Sequence, residues 1–193
     1  MRRLGGALAV ISGRGLDDLD RILQGAPRAL AAVHGLVRRR ADGTIVTTDA
    51  KPVPAWVLAR LAAACDSRAG LRVEDKRLAA ALHFRAAPGL AGLCETLAAQ
   101  LAAESGLSVQ RGDMVVELRA PGATKAEAVA AFMAEPPFCG RTPIFVGDDL
   151  TDEDGFAGAE RSGGYGVIVG PRRPTRARYG LADVETALAW LSA

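Results

Sequence analysis

Apolar and polar positions change rhythm twice along the chain. Ala7 to Ile11 is a short apolar run between glycines, as in a buried parallel strand. Asp17 or Asp18 starts a helix through Leu23, closed by Gly25 and Pro27. Ala31 to His34 reads as a second strand, and Leu36–Arg39 with Thr44–Thr47 as a hairpin through Ala41-Asp42-Gly43. From Pro52 the pattern differs. Pro54 to Ala64 is helical, with Val57, Leu58 and Leu61 at core spacing, and Leu71–Glu74 and Ala81–Arg85 read as paired strands. Pro88 to Ser105 is a second helix: proline suits its first turn, Leu90, Leu93, Leu97 and Leu101 mark one face, and Gly106 ends it. Strands over Leu107–Gln110 and Met114–Arg119 follow. After Pro121-Gly122 the first rhythm returns, with a helix over Thr124–Met133, a strand over Pro143–Gly147 and a polar loop. A strand over Gly166–Val169 and a helix over Asp183–Leu191 complete the chain.

The outer segments thus read as one α/β domain with a parallel sheet, split between residues 1–50 and 121–193. Residues 51–120 form an inserted α+β layer that caps it. Composition fits a folded chain: 193 residues, 49% hydrophobic and 24% charged. A net charge of +2, with no basic run interleaved with aromatics, excludes the usual nucleic-acid signature. Arg38-Arg39-Arg40 is the densest positive patch and reads as a solvated hairpin rim. Cys65, Cys94 and Cys139 are odd in number and far apart, which points to a reducing cytoplasm. No apolar run reaches the roughly 18 residues of a membrane span. Met1-Arg2-Arg3 and the run after it imitate a short signal peptide but lack a small-x-small cleavage site.

The densest chemistry lies in Gly147-Asp148-Asp149-Leu150-Thr151-Asp152-Glu153-Asp154, just after the strand Ile144-Phe145-Val146. Ligands of open α/β sheets bind at such carboxyl ends. Five acidic groups within seven positions repel one another unless a cation neutralises them, and oxygen-only ligands suit Mg2+. For Asp148 the metal reading is favoured; for Glu153 and Asp154 the plainer one, an acidic helix start, is favoured. Lys125, at a helix start after Gly122, and Ser12-Gly13-Arg14, at a strand-to-loop corner, each suit a phosphate group. Singly each is weak; in this order they form a phosphate-site set.

That set resembles the later motifs of the haloacid dehalogenase (HAD) superfamily of phosphatases. The resemblance implies a HAD-like Rossmannoid core, with Ser12 and Gly13 binding the phosphoryl group. Lys125 would stabilise its charge, Asp148, Asp149 and Asp152 would build the Mg2+ site, and Asp149 would count with Ser12 and Lys125 among the catalytic residues. A closer resemblance, to the trehalose-6-phosphate phosphatases, rests on Val10–Arg14, His34-Gly35, Val73–Lys76, Leu82–Arg85, Met114–Arg119 and Gly147–Phe156, with Val169-Gly170-Pro171, Tyr179 and Trp190-Leu191 in the tail. It implies that Arg39, Glu74, Lys76 and Glu117 grip sugar hydroxyls from the cap, the specificity domain. His34 and His83 read as structural, since no partner spacing suggests a ligand pair or a catalytic dyad. Val37, Ala79 and Asp113 depart from that family's frequent glutamate, serine and lysine.

The family's first motif, Asp-x-Asp-Gly-Thr, does not occur in these residues; Asp18-Leu19-Asp20 has the spacing but lies in a predicted helix without Gly-Thr. By the resemblance, the first of those aspartates attacks phosphorus and the second is general acid, then base. The core is therefore expected to lack its first, central strand, leaving two inner edges whose unmet groups cost about 1–3 kcal/mol each. The expected function is hydrolysis of trehalose 6-phosphate in trehalose biosynthesis, by a cytoplasmic, Mg2+-dependent phosphomonoesterase whose partner is a small sugar phosphate, without nucleic acid or membrane. This chain alone is expected to be an N-terminally truncated, inactive form, active once an upstream aspartate-bearing segment is restored. The alternatives are a catalytically dead sugar-phosphate-binding or regulatory fragment, and a phosphatase for another sugar phosphate. Sequencing the amino terminus of the native protein should find residues before Met1; finding Met1 there overturns the truncation reading.

Overall fold

The computed structural model describes residues 4–171 and 174–192. Met1-Arg2-Arg3, the basic start of the run discussed above, lies outside the described residues. The chain divides into two compact units: residues 1–46 with 123–193, and residues 47–122.

In the first unit, β1 (Ala9–Ile11) runs parallel to β2 (Ala29–Ala32), which pairs antiparallel with β3 (Val37–Arg39), and β4 (Ile45–Thr47) completes the sheet β1-β2-β3-β4. Helix α1 (Leu16–Leu23) joins β1 to β2 and inserts Leu19 into the core. A second, parallel sheet has the order β11-β10-β9, from β9 (Ile144–Gly147), β10 (Tyr165–Val169) and β11 (Tyr179–Leu181). β1 and β9 were expected to be buried. Each pairs on one side only, so β1 is half-buried and Ile144 of β9 is exposed, whereas β2, flanked on both sides, is buried throughout.

Helix α4 (Lys125–Met133) packs Ala128 and Phe132 against Ala29 and Ala31 of β2, with Ala9 and Ile11 of β1 at the margin. It also meets α5 (Asp152–Arg161), where a Cβ on Gly158 would strike the Ala126 backbone. Phe156 of α5 is fully buried and stacks edge-on against Phe145 of β9 at 5.7 Å. The acidic helix start favoured for Glu153 and Asp154 is the start of α5, whose extent was not read from the sequence; the three-residue β11, too short to show a period, was not foreseen. Helix α6 (Val184–Ser192) closes the chain.

The second unit is an antiparallel sheet of order β5-β6-β8-β7, from β5 (Arg72–Asp75), β6 (Ala79–His83), β7 (Ser108–Gly112) and β8 (Val115–Arg119). Helices α2 (Ala55–Asp66) and α3 (Ala91–Ser105) cover one face. Val73, Ala80, Leu82, Val116, Leu118 and Val109 point to the helices, and the alternate positions carry the polar groups. The buried stripe of α3 is Cys94, Ala98 and Leu101, with Leu93 and Leu97 at its edge. Leu90, Leu93, Leu97 and Leu101, the face read from the sequence, all pack on this core, and Cys94 and Ala98 add small side chains at its centre. All three cysteines are free. Among the described residues no helix is long and apolar enough to cross a membrane.

Arg38 to Arg40 are not a solvated rim. Arg38 makes two 2.8 Å hydrogen bonds to Glu135, just beyond α4, and lies 5.1 Å from the Phe132 ring centroid. Arg40 Nε sits 3.0 Å from the same carboxylate, without a hydrogen-bonding angle. Arg38's hydrogen bonds, more than charge alone, hold the Glu135 carboxyl below its ordinary value of 4.5. A depressed carboxyl contributes stability that is present above the unfolded value and lost as pH falls through the folded one. Glu135→Gln should therefore lower stability at neutral pH by about 1–3 kcal/mol. In urea unfolding, the gap between wild type and E135Q should close as pH falls below about 4. A gap that persists there overturns the assignment.

Candidate active site

β9 ends at Gly147, and the loop 148–151 turns back so that α5 begins with Asp152. The Asp152 side chain folds over that loop. Its Oδ2 accepts hydrogen bonds from the backbone N–H groups of Asp148 and Asp149, both at 3.0 Å. Its Oδ1 accepts one from Lys125 Nζ at 2.6 Å, and the same ammonium donates to Thr151 Oγ1 at 2.8 Å. Lys125 and Asp152 are 7% and 6% exposed, so charge neutralisation is what permits their burial. Glycine is required at 147 because any Cβ there would collide with the Asp152 carboxylate.

Lys125 is the first residue of α4, capped by Thr124, whose Oγ1 accepts from Glu127 N at 3.3 Å. Ser12 leaves β1 with its N–H bonded to Ala31 O at 2.8 Å and its Oγ accepting from Arg14 N at 3.2 Å. Contacts connect these remote segments. Gly13 abuts His34, Gly35 abuts the Thr124 carbonyl, and Lys125 reaches Asp152. The structure thus joins the Ser12, Lys125 and Asp148 segments within one unit.

Asp152, expected at the metal site, anchors the loop: its two oxygens accept from three donors. Asp149 Oδ1 accepts from Leu150 N at 2.6 Å, and Asp148 is exposed. Among the described residues no group of three or more His, Cys, Asp or Glu side chains is disposed to hold a metal. Two adjacent carboxylates on an oxygen-only loop still fit Mg2+, which takes one or two protein carboxylates and fills its shell with water and substrate oxygens. Asp18 and Asp20, whose spacing imitates a nucleophile motif, serve α1: Asp18 pairs with Arg14 and Arg21, and Asp20 with Arg39.

The sheet of the second unit sets Glu74, Ala81, Glu117 and Gln110 in one cross-strand row on its polar face. Lys76 Nζ lies 2.6 Å from Glu117 Oε2, and His83 Nε2 lies 2.8 Å from Glu74 Oε2. Arg39 does not belong to this face. It is on β3 of the other unit, where it holds Asp20 at 2.8 Å and the Arg28 carbonyl at 2.9 Å. Sequence reasoning missed the anchoring role of Asp152 and Thr151. The signal was there: a lysine at one helix start and an aspartate at another, with a glycine ending the strand between.

The family model described as trehalose-phosphatase matches residues 3–185. A probable trehalose-phosphate phosphatase of Sinorhizobium fredii is 40% identical over 188 residues, which cover 96% of this chain and 70% of that protein. A trehalose-6-phosphate phosphatase of Escherichia coli has the same identity and coverage. In fold, the C-terminal domain of a Candida albicans trehalose-6-phosphate phosphatase superposes with a TM-score of 0.80 at 24% identity, covering 95% of this chain and 76% of that one. A HAD-superfamily phosphatase of Bacteroides thetaiotaomicron gives 0.67 at 14% identity, over 99% and 83%.

The buried ion pair has a measurable signature. Lys125→Met strands a buried carboxylate and should cost about 3–5 kcal/mol of unfolding free energy. Lys125→Met with Asp152→Asn should cost less than the two single changes summed, with a coupling of about 1–3 kcal/mol in urea unfolding. Additive losses would show that the two groups do not stabilise each other.

Proposed function

The chain belongs to the trehalose-phosphatase family, and from that premise we propose that it serves the hydrolysis of trehalose 6-phosphate to trehalose and phosphate in the cytoplasm. The observation that carries this reading is the anchored acidic loop. Lys125 and two backbone amides hold Asp152, which leaves Asp148 and Asp149 at the carboxyl end of a parallel strand. The Ser12 hydroxyl and the Gly13 backbone amide supply donors for phosphoryl oxygens, while the Ser12 and Arg14 amides are engaged within the fold. Lys125 supplies a fixed positive charge near where the phosphoryl group gathers negative charge. Bound Mg2+, held by Asp148 and Asp149, would neutralise phosphoryl charge and orient its oxygens. On the cap sheet, Glu74, Lys76 and Glu117 present acceptors and a donor that match sugar hydroxyls, each of which both gives and takes a hydrogen bond. Three unpaired thiols agree with a reducing compartment.

A second reading, sugar-phosphate binding without turnover, needs only the same anchored loop and donors. Calorimetry with trehalose 6-phosphate and Mg2+, run beside a phosphate-release assay, separates the two. Release supports hydrolysis by these residues; binding without release supports the second reading. Under either, Lys125→Ala should weaken the measured quantity by about a hundredfold or more. Glu117→Gln should reduce the preference for trehalose 6-phosphate over free phosphate by about tenfold. Unchanged binding in K125A would overturn the site.

A further inference from the structure

The pair His34-Gly35 has no part in the function described so far, yet its backbone is the most constrained near the site. Val33, His34 and Gly35 follow one another at φ values of 48°, 58° and 108°. Left-handed backbone is unfavourable for any side chain and most of all for a β-branched one such as valine. Strain of this kind persists only where surrounding structure enforces it. Here the turn returns the chain onto the end of β1. Val33 N–H donates to Arg14 O and His34 N–H to Ser12 O, both at 2.9 Å.

The consequence is the placement of the imidazole. His34 is 7% exposed, and its ring edge fills the space that a side chain at position 13 would need. A Cβ on Gly13 would lie 2.5 Å from Nε2 and 2.8 Å from Cε1. On the other side of the turn, a Cβ on Gly35 would lie 3.0 Å from the Thr124 carbonyl, at the residue that caps the helix bearing Lys125. One strained tripeptide therefore touches both segments assigned to phosphate.

We propose that His34 is a positioning residue that holds the Ser12–Gly13–Arg14 turn in the shape that receives phosphoryl oxygens. This rests on the reading of that turn as a phosphate site. A histidine that merely fills the core would affect folding and leave the ligand affinity of the folded protein alone.

The test uses the full chain, with inorganic phosphate and trehalose 6-phosphate as probes in the presence of Mg2+. Affinity is read by calorimetry, the Ser12 to Arg14 amides by 1H–15N shifts, and stability by Tm. His34→Ala should weaken phosphate binding by about tenfold and shift those amides, because small displacements of a positioning group are costly. Gly13→Ala should do the same, since its methyl group drives the ring away. The double variant G13A/H34A should bind no worse than either single one, because the methyl group occupies the space the ring vacated. Should H34A not fold, G13A and His34→Gln carry the same comparison. Wild-type affinity in the folded variants, with only Tm lowered, overturns the proposal and leaves the phosphate site standing. Wild-type protein that binds neither probe, or K125A that binds both unchanged, overturns the phosphate site and this inference with it.

Discussion

A single carboxylate organises the acidic end of the parallel sheet. Asp152 collects two backbone amides from the loop before it and the ammonium of Lys125 from another helix. Burial makes this arrangement demanding, because either charge left alone in the interior would be far less stable than the pair. It fixes three things together: the path of the loop carrying Asp148 and Asp149, the start of α5, and the start of α4. The close approach of α4 and α5 at Ala126 and Gly158 follows the same geometry. Five acidic residues in a short span are thus not equivalent. One is internal scaffolding, held by three donors, whereas Asp148 is exposed.

The second unit separates apolar and polar side chains by the two faces of one sheet. Strand alternation sends Leu82, Val116 and Leu118 towards α2 and α3, while Glu74, His83 and Glu117 take the opposite face. Ala79 and Ala81, both fully buried, keep the middle of that polar face low between the charged side chains. Lys76 and Glu117 pair with side chains about one-tenth exposed, so each fixes the orientation of the other.

Arginines in this chain show how position overrides type. Three consecutive residues on and after β3 point alternately, so Arg38 and Arg40 share Glu135 while Arg39 turns to Asp20. Their planar forks tie β3 to the end of α4 and to α1, a structural task for which two-pronged hydrogen bonding is well suited.

The sequence by itself determined the α/β core, the inserted α+β layer and the family. Hydrophobic period, glycine and proline punctuation and several ordered motifs are local properties that survive without coordinates. It also marked Ser12, Lys125 and Asp148 as belonging together, because strand ends and helix starts are where anions and cations find backbone support. Only the tertiary structure decided what each charged group does. Asp152 anchors its loop, Arg39 pairs with Asp20 of α1, and Cys94 and Ala98 join Leu101 at the centre of the buried face of α3. Partner choice depends on which side chains meet across distances of 19 to 97 residues, as in the Arg39–Asp20 and Arg38–Glu135 pairs. Composition and spacing carry no record of those meetings.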